Sequence, residues 1–197
     1  MKTTTRALAM VPVLGVFLVA AGPAQAAQPL STPSSTVTAE VQEAAVTLGP
    51  WPVLQRGPNS VWPPVTVRSL QYLLNAHGAR LTVDGVFGPA TEAAVKAYQR
   101  THRLAVDGVV GSATWSSVIV TVKRGSTGAA VRAVQDQINH RNLSGTNFLA
   151  VDGVFGPRTE RWIRGFQTAM SQQMPFAVDG IVGPQTWRAL VIGYLAG

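Results

Sequence analysis

Asp84 and Asp152 stand within an identical string, Val-Asp-Gly-Val-Phe-Gly-Pro, at residues 83–89 and 151–157, and Glu92 and Glu160 follow each at the same distance. Two carboxylates flanking a sugar bond are the minimum equipment of a lysozyme-like hydrolase. Catalytic carboxylates, however, usually form unlike pairs whose surroundings push their pKa values apart. The string has two weaker echoes, Val106-Asp107-Gly108-Val109-Val110-Gly111 and Val178-Asp179-Gly180-Ile181-Val182-Gly183. One Asp in one local setting, used four times, is the mark of scaffolding, and a structural role is preferred for all four.

Other chemistries find little support. His77, His102 and His140 are the only histidines, and none stands in a ligand motif for zinc. Cysteine is absent, and neither a Gly-x-Ser-x-Gly elbow nor a Ser-x-x-Lys pair occurs. Glu92 and Glu160 fall in the first turn of a predicted helix, where an acid complements the helix dipole. With Gly197 just past the second copy, a separate catalytic domain is not expected. No enzyme, cofactor or metal is expected.

The elements that would position these residues read clearly. Asp-Gly favours a tight turn, since the carboxylate accepts from nearby backbone N–H groups and glycine reaches positive φ without strain. The two apolar residues that follow are expected to plug the core. Gly88 or Gly156 then stands at an N-cap and Pro89 or Pro157 at the first helical position, where a missing N–H costs nothing. Thr91 and Thr159 lie in the first turn, their hydroxyls placed to serve exposed backbone groups. Helical spacing continues through Val95 and Tyr98, and through Ile163 and Phe166. Downstream, Trp115, Val118 and Ile119 match Trp187, Leu190 and Val191; upstream, Val67, Leu70 and Leu74 match Val131, Val134 and Ile138. The expected fold is all-α: two tandem three-helix bundles.

Ahead of the repeat, Lys2 and Arg6 precede an apolar run that ends in Ala24-Gln25-Ala26, the signature of a secretory signal peptide at residues 1–26. Residues 27–50 are rich in Ala, Ser, Thr and Pro and are expected to form a disordered linker, with a short helix possible at 37–46. The two modules then occupy 51–120 and 121–197. Losing Lys2 and Arg6 with the leader takes the net charge from +7 to +5. A basic secreted protein is drawn to anionic polymers, and secretion argues against nucleic acid. No segment after the leader is apolar enough for a membrane span.

With Val-Asp-Gly-x-Phe-Gly-Pro-x-Thr-Glu, the following Tyr/Phe-Gln and the closing Val-Asp-Gly-x-Val-Gly-x-x-Thr-Trp all present, each copy resembles a peptidoglycan-binding domain of the type-1 family. Lys123-Arg124-Gly125-Ser126-x-Gly128 adds the family's usual run into helix 1 in the second copy. The resemblance implies a three-helix module that binds the bacterial wall and is usually joined to wall-cleaving enzymes. The first copy departs at its start, where Trp62-Pro63-Pro64 cannot continue a helix. The second departs at Trp162, opposite Ala94, which either fills volume or offers a sugar-stacking face; packing is preferred.

The leading expectation is therefore a monomeric, secreted, non-catalytic protein that binds peptidoglycan or another anionic wall polymer. Trp62, Arg158, Arg161 and Trp162 are its candidate contacts, with Arg side chains and helix N-termini for carboxylates and aromatic faces for sugar. Asp84, Gly85, Gly88, Asp107, Gly108, Asp152, Gly153, Gly156, Asp179 and Gly180 are read as the structural motif. A protein-interaction partner of a separate wall hydrolase is the second reading, and a wall hydrolase the third. The junction 119–123 holds no Gly or Pro, so a short, stiff connection and a shared interface are expected.

Overall fold

A computed structural model describes residues 47–57, 62–142 and 148–193. The expected signal peptide, most of the expected linker and the possible helix at 37–46 lie outside them. The described residues form six helices in order: α1 (Pro64–Ala76), α2 (Pro89–Thr101), α3 (Ser112–Val118), α4 (Ala129–Arg141), α5 (Pro157–Ser171) and α6 (Pro184–Val191). Among the described residues the only β-type pairings are three isolated antiparallel bridges, Leu54 with Val110, Val122 with Val182 and Thr127 with Val154. The protein is all-α, with three helices in each of two modules.

The caps follow from local chemistry. Gly88, Gly111, Gly156 and Gly183 are extended N-cap residues of α2, α3, α5 and α6, and proline opens α2, α5 and α6. Proline's fixed φ suits a first turn, and the N–H it lacks would have had no partner there. The same rule admits α1 immediately after Trp62: Pro63 is its N-cap and Pro64 its first residue, so the two prolines delay the helix without shortening it relative to α4.

The helices close over Trp115 in the first module and Trp187 in the second, both fully buried. Val67, Leu70, Leu74, Phe87, Val95 and Val118 surround the first; Val131, Val134, Ile138, Phe155, Ile163 and Leu190 surround the second. Each indole N–H donates to a carbonyl of the extended run ahead of its module, Trp115 to Pro52 at 2.7 Å and Trp187 to Val120 at 2.8 Å. A buried indole needs such a partner. Residues 52–54 thus do for the first module what 120–122 do for the second, and the bridges at Leu54 and Val122 repeat the correspondence.

The modules share an interface through their first helices. Arg68 on α1 makes a two-pronged pair with Asp136 on α4, at 2.7 and 3.2 Å, and Gln137 donates to the Ser69 hydroxyl at 2.8 Å. Thr66, in the first turn of α1, donates to the carbonyl of Val191, while Arg141, in the last turn of α4, donates to that of Leu190. The start of α1 therefore lies beside the end of α4, and the two helices run antiparallel. Ser69 and Ala133 are fully buried, and side chains this small let the helix axes approach. The connection at 119–123 is short, as expected.

Candidate functional site

The four Asp-Gly motifs form one repeated node, and its centre is a glutamine that the sequence shows in the repeat without a role. Gln71, Gln99, Gln135 and Gln167 are each buried on the helix preceding a motif. Gln99 Nε2 lies 2.9 Å from Asp107 Oδ1, 2.9 Å from the Val109 carbonyl and 3.2 Å from the Thr114 hydroxyl, while its Oε1 accepts from Gly108 N–H at 3.0 Å. Gln71 makes the same set with Asp84, Val86, Thr91 and Gly85, and Gln167 with Asp179, Ile181, Thr186 and Gly180. Gln135 does so with Asp152, Val154 and Gly153. A primary amide suits the position because it presents two N–H donors and an acceptor from one planar group.

Two expectations need correction here. The first apolar residue after Asp-Gly does not enter the core: Val86 is 60% exposed and Val154 50%, whereas Phe87 and Phe155 are buried. Its carbonyl must face the glutamine, and alternation then directs its side chain outward. The Thr91 hydroxyl, expected to serve exposed backbone groups of the first turn, turns back into the node, accepting from the Gln71 amide at 3.1 Å and donating to the Val86 carbonyl at 3.2 Å.

The aspartates behave as the turn reading requires, each accepting at 2.8 Å from the N–H two residues on, at Val86, Val109, Val154 and Ile181. The Gln71 amide first, then the Val86 N–H, holds the Asp84 carboxyl below its ordinary value. For Asp107 and Asp152 the backbone N–H leads and the glutamine follows. Glycine is needed beside them. Gly108 has φ 75°, and a Cβ there would meet Lys96 Cε at 2.7 Å; Gly153 has φ 78°, and a Cβ would meet the Gly128 carbonyl at 3.1 Å.

The two glutamates are held as ions. Glu92 pairs with Lys96 at 2.6 Å and Arg56 at 3.6 Å, and Glu160 with Arg124 at 3.0 Å and Arg164 at 3.3 Å. Hydrogen bonds from Lys96 and from Arg124 respectively are the main reason both carboxyls lie below their ordinary value. A general acid needs the opposite shift. Among the described residues no group of three or more His, Cys, Asp or Glu could hold a metal ion, and no helix is long and apolar enough to cross a membrane.

Of the candidate contacts, Arg158, Arg161 and Trp162 share one stripe of α5, at i, i+3 and i+4. Both arginines are exposed; Trp162 is half-buried and stacks on Phe166, with ring centres 6.0 Å apart. Trp62 is half-buried against the core ahead of α1, in the other module. A groove of about 570 Å³ lies where the modules meet, lined by Leu48, Trp51 and Ser116 on one side and Met174, Pro175 and Arg188 on the other. Arg188 donates from this groove to the carbonyls of Gly49 and Leu48, at 2.6 and 2.9 Å.

Comparison with known families places this architecture. The sequence profile described as a peptidoglycan binding domain matches residues 65–117 and again 127–190, more than half of the chain. The first match runs from the start of α1 to the end of α3, and the second from the approach to α4 to the end of α6. No curated protein and no solved structure matches the chain. With a glutamine-centred node before every second and third helix and the profile matched once per module, the chain belongs to the peptidoglycan-binding domain family and carries that domain twice.

Proposed function

We propose that this protein is a secreted, non-catalytic binder of the bacterial cell wall, whose two modules engage peptidoglycan together. The observation that carries this reading is the double family match on two modules whose acids are all engaged otherwise: four aspartates in turn nodes, and Asp136 and two glutamates in ion pairs. Both glutamate carboxyls lie below their ordinary value, the opposite of what the protonated acid of sugar-bond cleavage needs. The Arg158, Arg161 and Trp162 stripe presents two cations and an aromatic edge, chemistry suited to stem-peptide carboxylates and sugar faces. Trp62 would add a contact from the first module. Because α1 and α4 lock the modules together, one module's binding places the other at a fixed offset, which raises effective concentration only for a ligand of matching span.

Sedimentation with purified insoluble peptidoglycan tests the proposal. The full chain is expected in the pellet at low salt, and Arg158→Gln combined with Arg161→Gln should release a large fraction of it. A protein left in the supernatant at low salt overturns the reading. Solubilisation of dye-labelled wall by the purified chain would overturn its non-catalytic part.

A further inference from the structure

The two modules differ at one place where the repeat supplies its own control. In the second, Trp162 stacks on Phe166, and Phe176 meets the same ring edge-on with centres 6.5 Å apart. In the first, Ala94 stands in the position of Trp162 and Tyr98 in that of Phe166. The space beside them is a cavity of about 270 Å³ between the end of α1 and the middle of α2, floored by Leu74, Ala94 and Ala97 and walled by His77, Tyr98 and His102. His102 stacks on Tyr98 with ring centres 3.8 Å apart, and His77 meets Tyr98 edge-on at 4.9 Å.

The hydrogen bonds of the two imidazoles fix what the cavity offers. His77 Nε2 lies 3.0 Å from the Val118 carbonyl and His102 Nδ1 lies 2.9 Å from the Tyr98 carbonyl. A carbonyl only accepts, so each of these nitrogens carries the proton, and in the neutral rings the lone pairs are left on His77 Nδ1 and His102 Nε2. The Tyr98 hydroxyl is engaged by Ser117 at 2.9 Å. The lining holds no Lys, Arg, Asp or Glu. A cleft with aromatic walls, a floor of small apolar groups, no carboxylate, ammonium or guanidinium group and two imidazole nitrogens able to accept selects a ligand of matching kind: neutral, with N–H or O–H donors beside a methyl group.

We infer that this cleft of the first module is a subsite for an N-acetylated amino sugar, taking the acetamido methyl against Ala94 and Ala97 and its N–H toward a histidine nitrogen. The assignment rests on the wall-binding proposal and names the sugar, as opposed to the stem peptide, as what the first module reads. In the second module Trp162, stacked on Phe166, stands at the position of Ala94.

The test is NMR titration of the full chain with N,N′-diacetylchitobiose and, separately, with cellobiose, which has the same linkage and no acetamido groups. The diacetyl sugar is expected to shift the Ala94 and Ala97 methyls and both histidine rings, and cellobiose to leave them unmoved. Ala94→Trp should weaken the sugar at least tenfold. His102→Met, which imports the residue of the second module, should do the same if the tryptophan variant fails to fold. Equal response to both sugars, no response to either, or unchanged affinity in a folded Ala94→Trp or His102→Met protein overturns the subsite. Sedimentation with whole peptidoglycan separates the two failures: wild-type chain that pellets without sugar response at the cleft leaves wall binding standing, whereas chain that does not pellet refutes wall binding itself.

Discussion

Replacing Gln99 by Met keeps the length and much of the volume of the side chain while removing every polar contact that the glutamine makes in its node. The buried Gly108 N–H loses its acceptor, a penalty of about 1–3 kcal/mol. The Val109 carbonyl and Asp107 lose an amide donor, worth about 1 kcal/mol net, because Thr114 still reaches the carbonyl and Val109 N–H still reaches the carboxylate. The total is about 3 kcal/mol. With a urea m-value of about 2 kcal/mol per M, the midpoint should fall by about 1.5 M. Urea unfolding followed by tryptophan fluorescence reads this directly, since Trp115 and Trp187 are both buried. Gln173→Met, at an exposed position, is the control and should stay within about 0.5 kcal/mol of wild type. A Gln99→Met midpoint indistinguishable from that control would refute the claim that the glutamine organises the turn. Gln167→Met should reproduce the loss in the second module.

Three further outcomes are expected. Gly153→Ala forces φ 78° on an alanine and presses its Cβ on the Gly128 carbonyl, so it should cost about 1–2 kcal/mol, read as a lowered urea midpoint. Asp84, Asp107 and Asp152 have folded pKa values below the ordinary 3.8, so near and below that pH the unfolded chain binds more protons than the folded one. Stability should therefore be fully present well above pH 4 and decline as pH falls through the folded values, and Asp107→Asn should flatten that decline in midpoints measured from pH 6 to pH 2. Arg68→Ala and Asp136→Ala should each lower stability, and their double-mutant cycle should give a coupling of about 1 kcal/mol, because the pair is two-pronged and only partly exposed. Strict additivity would show that the bridge contributes nothing to holding the modules together.

The glutamine node shows where sequence reading stopped short. Its Asp and Gly were recognisable because the turn chemistry is local: Asp107 bonds to an N–H two residues away. Gln99 lies eight residues before Asp107, Gln135 seventeen before Asp152, and nothing in the turn itself points back along the preceding helix. A signal existed nonetheless, since four motifs are each preceded by a helix carrying a glutamine on its apolar stripe, a costly place for an unpartnered amide. The difference between Trp162 and Ala94 was legible as a departure between the copies, but the cavity beside Ala94 is a property of packed helices and has no trace in the order of residues.

What the sequence determined by itself was everything encoded within a few residues: the repeat, the Gly-Pro helix entries, the amphipathic stripes, the three helices of each module and the family they identify. What only the tertiary structure decided were contacts between distant segments. Ser69 and Ala133 read equally well as surface or interface until α1 and α4 pack, Pro52 becomes the partner of Trp115 from 63 residues away, and the cleft beside Tyr98 is enclosed by the end of α1 and by α2. The physical reason is common to all of them. Capping and turn preferences are set by neighbours along the chain, whereas burial, cavity and interface are set by neighbours in space, and one-dimensional spacing fixes the first while only loosely constraining the second.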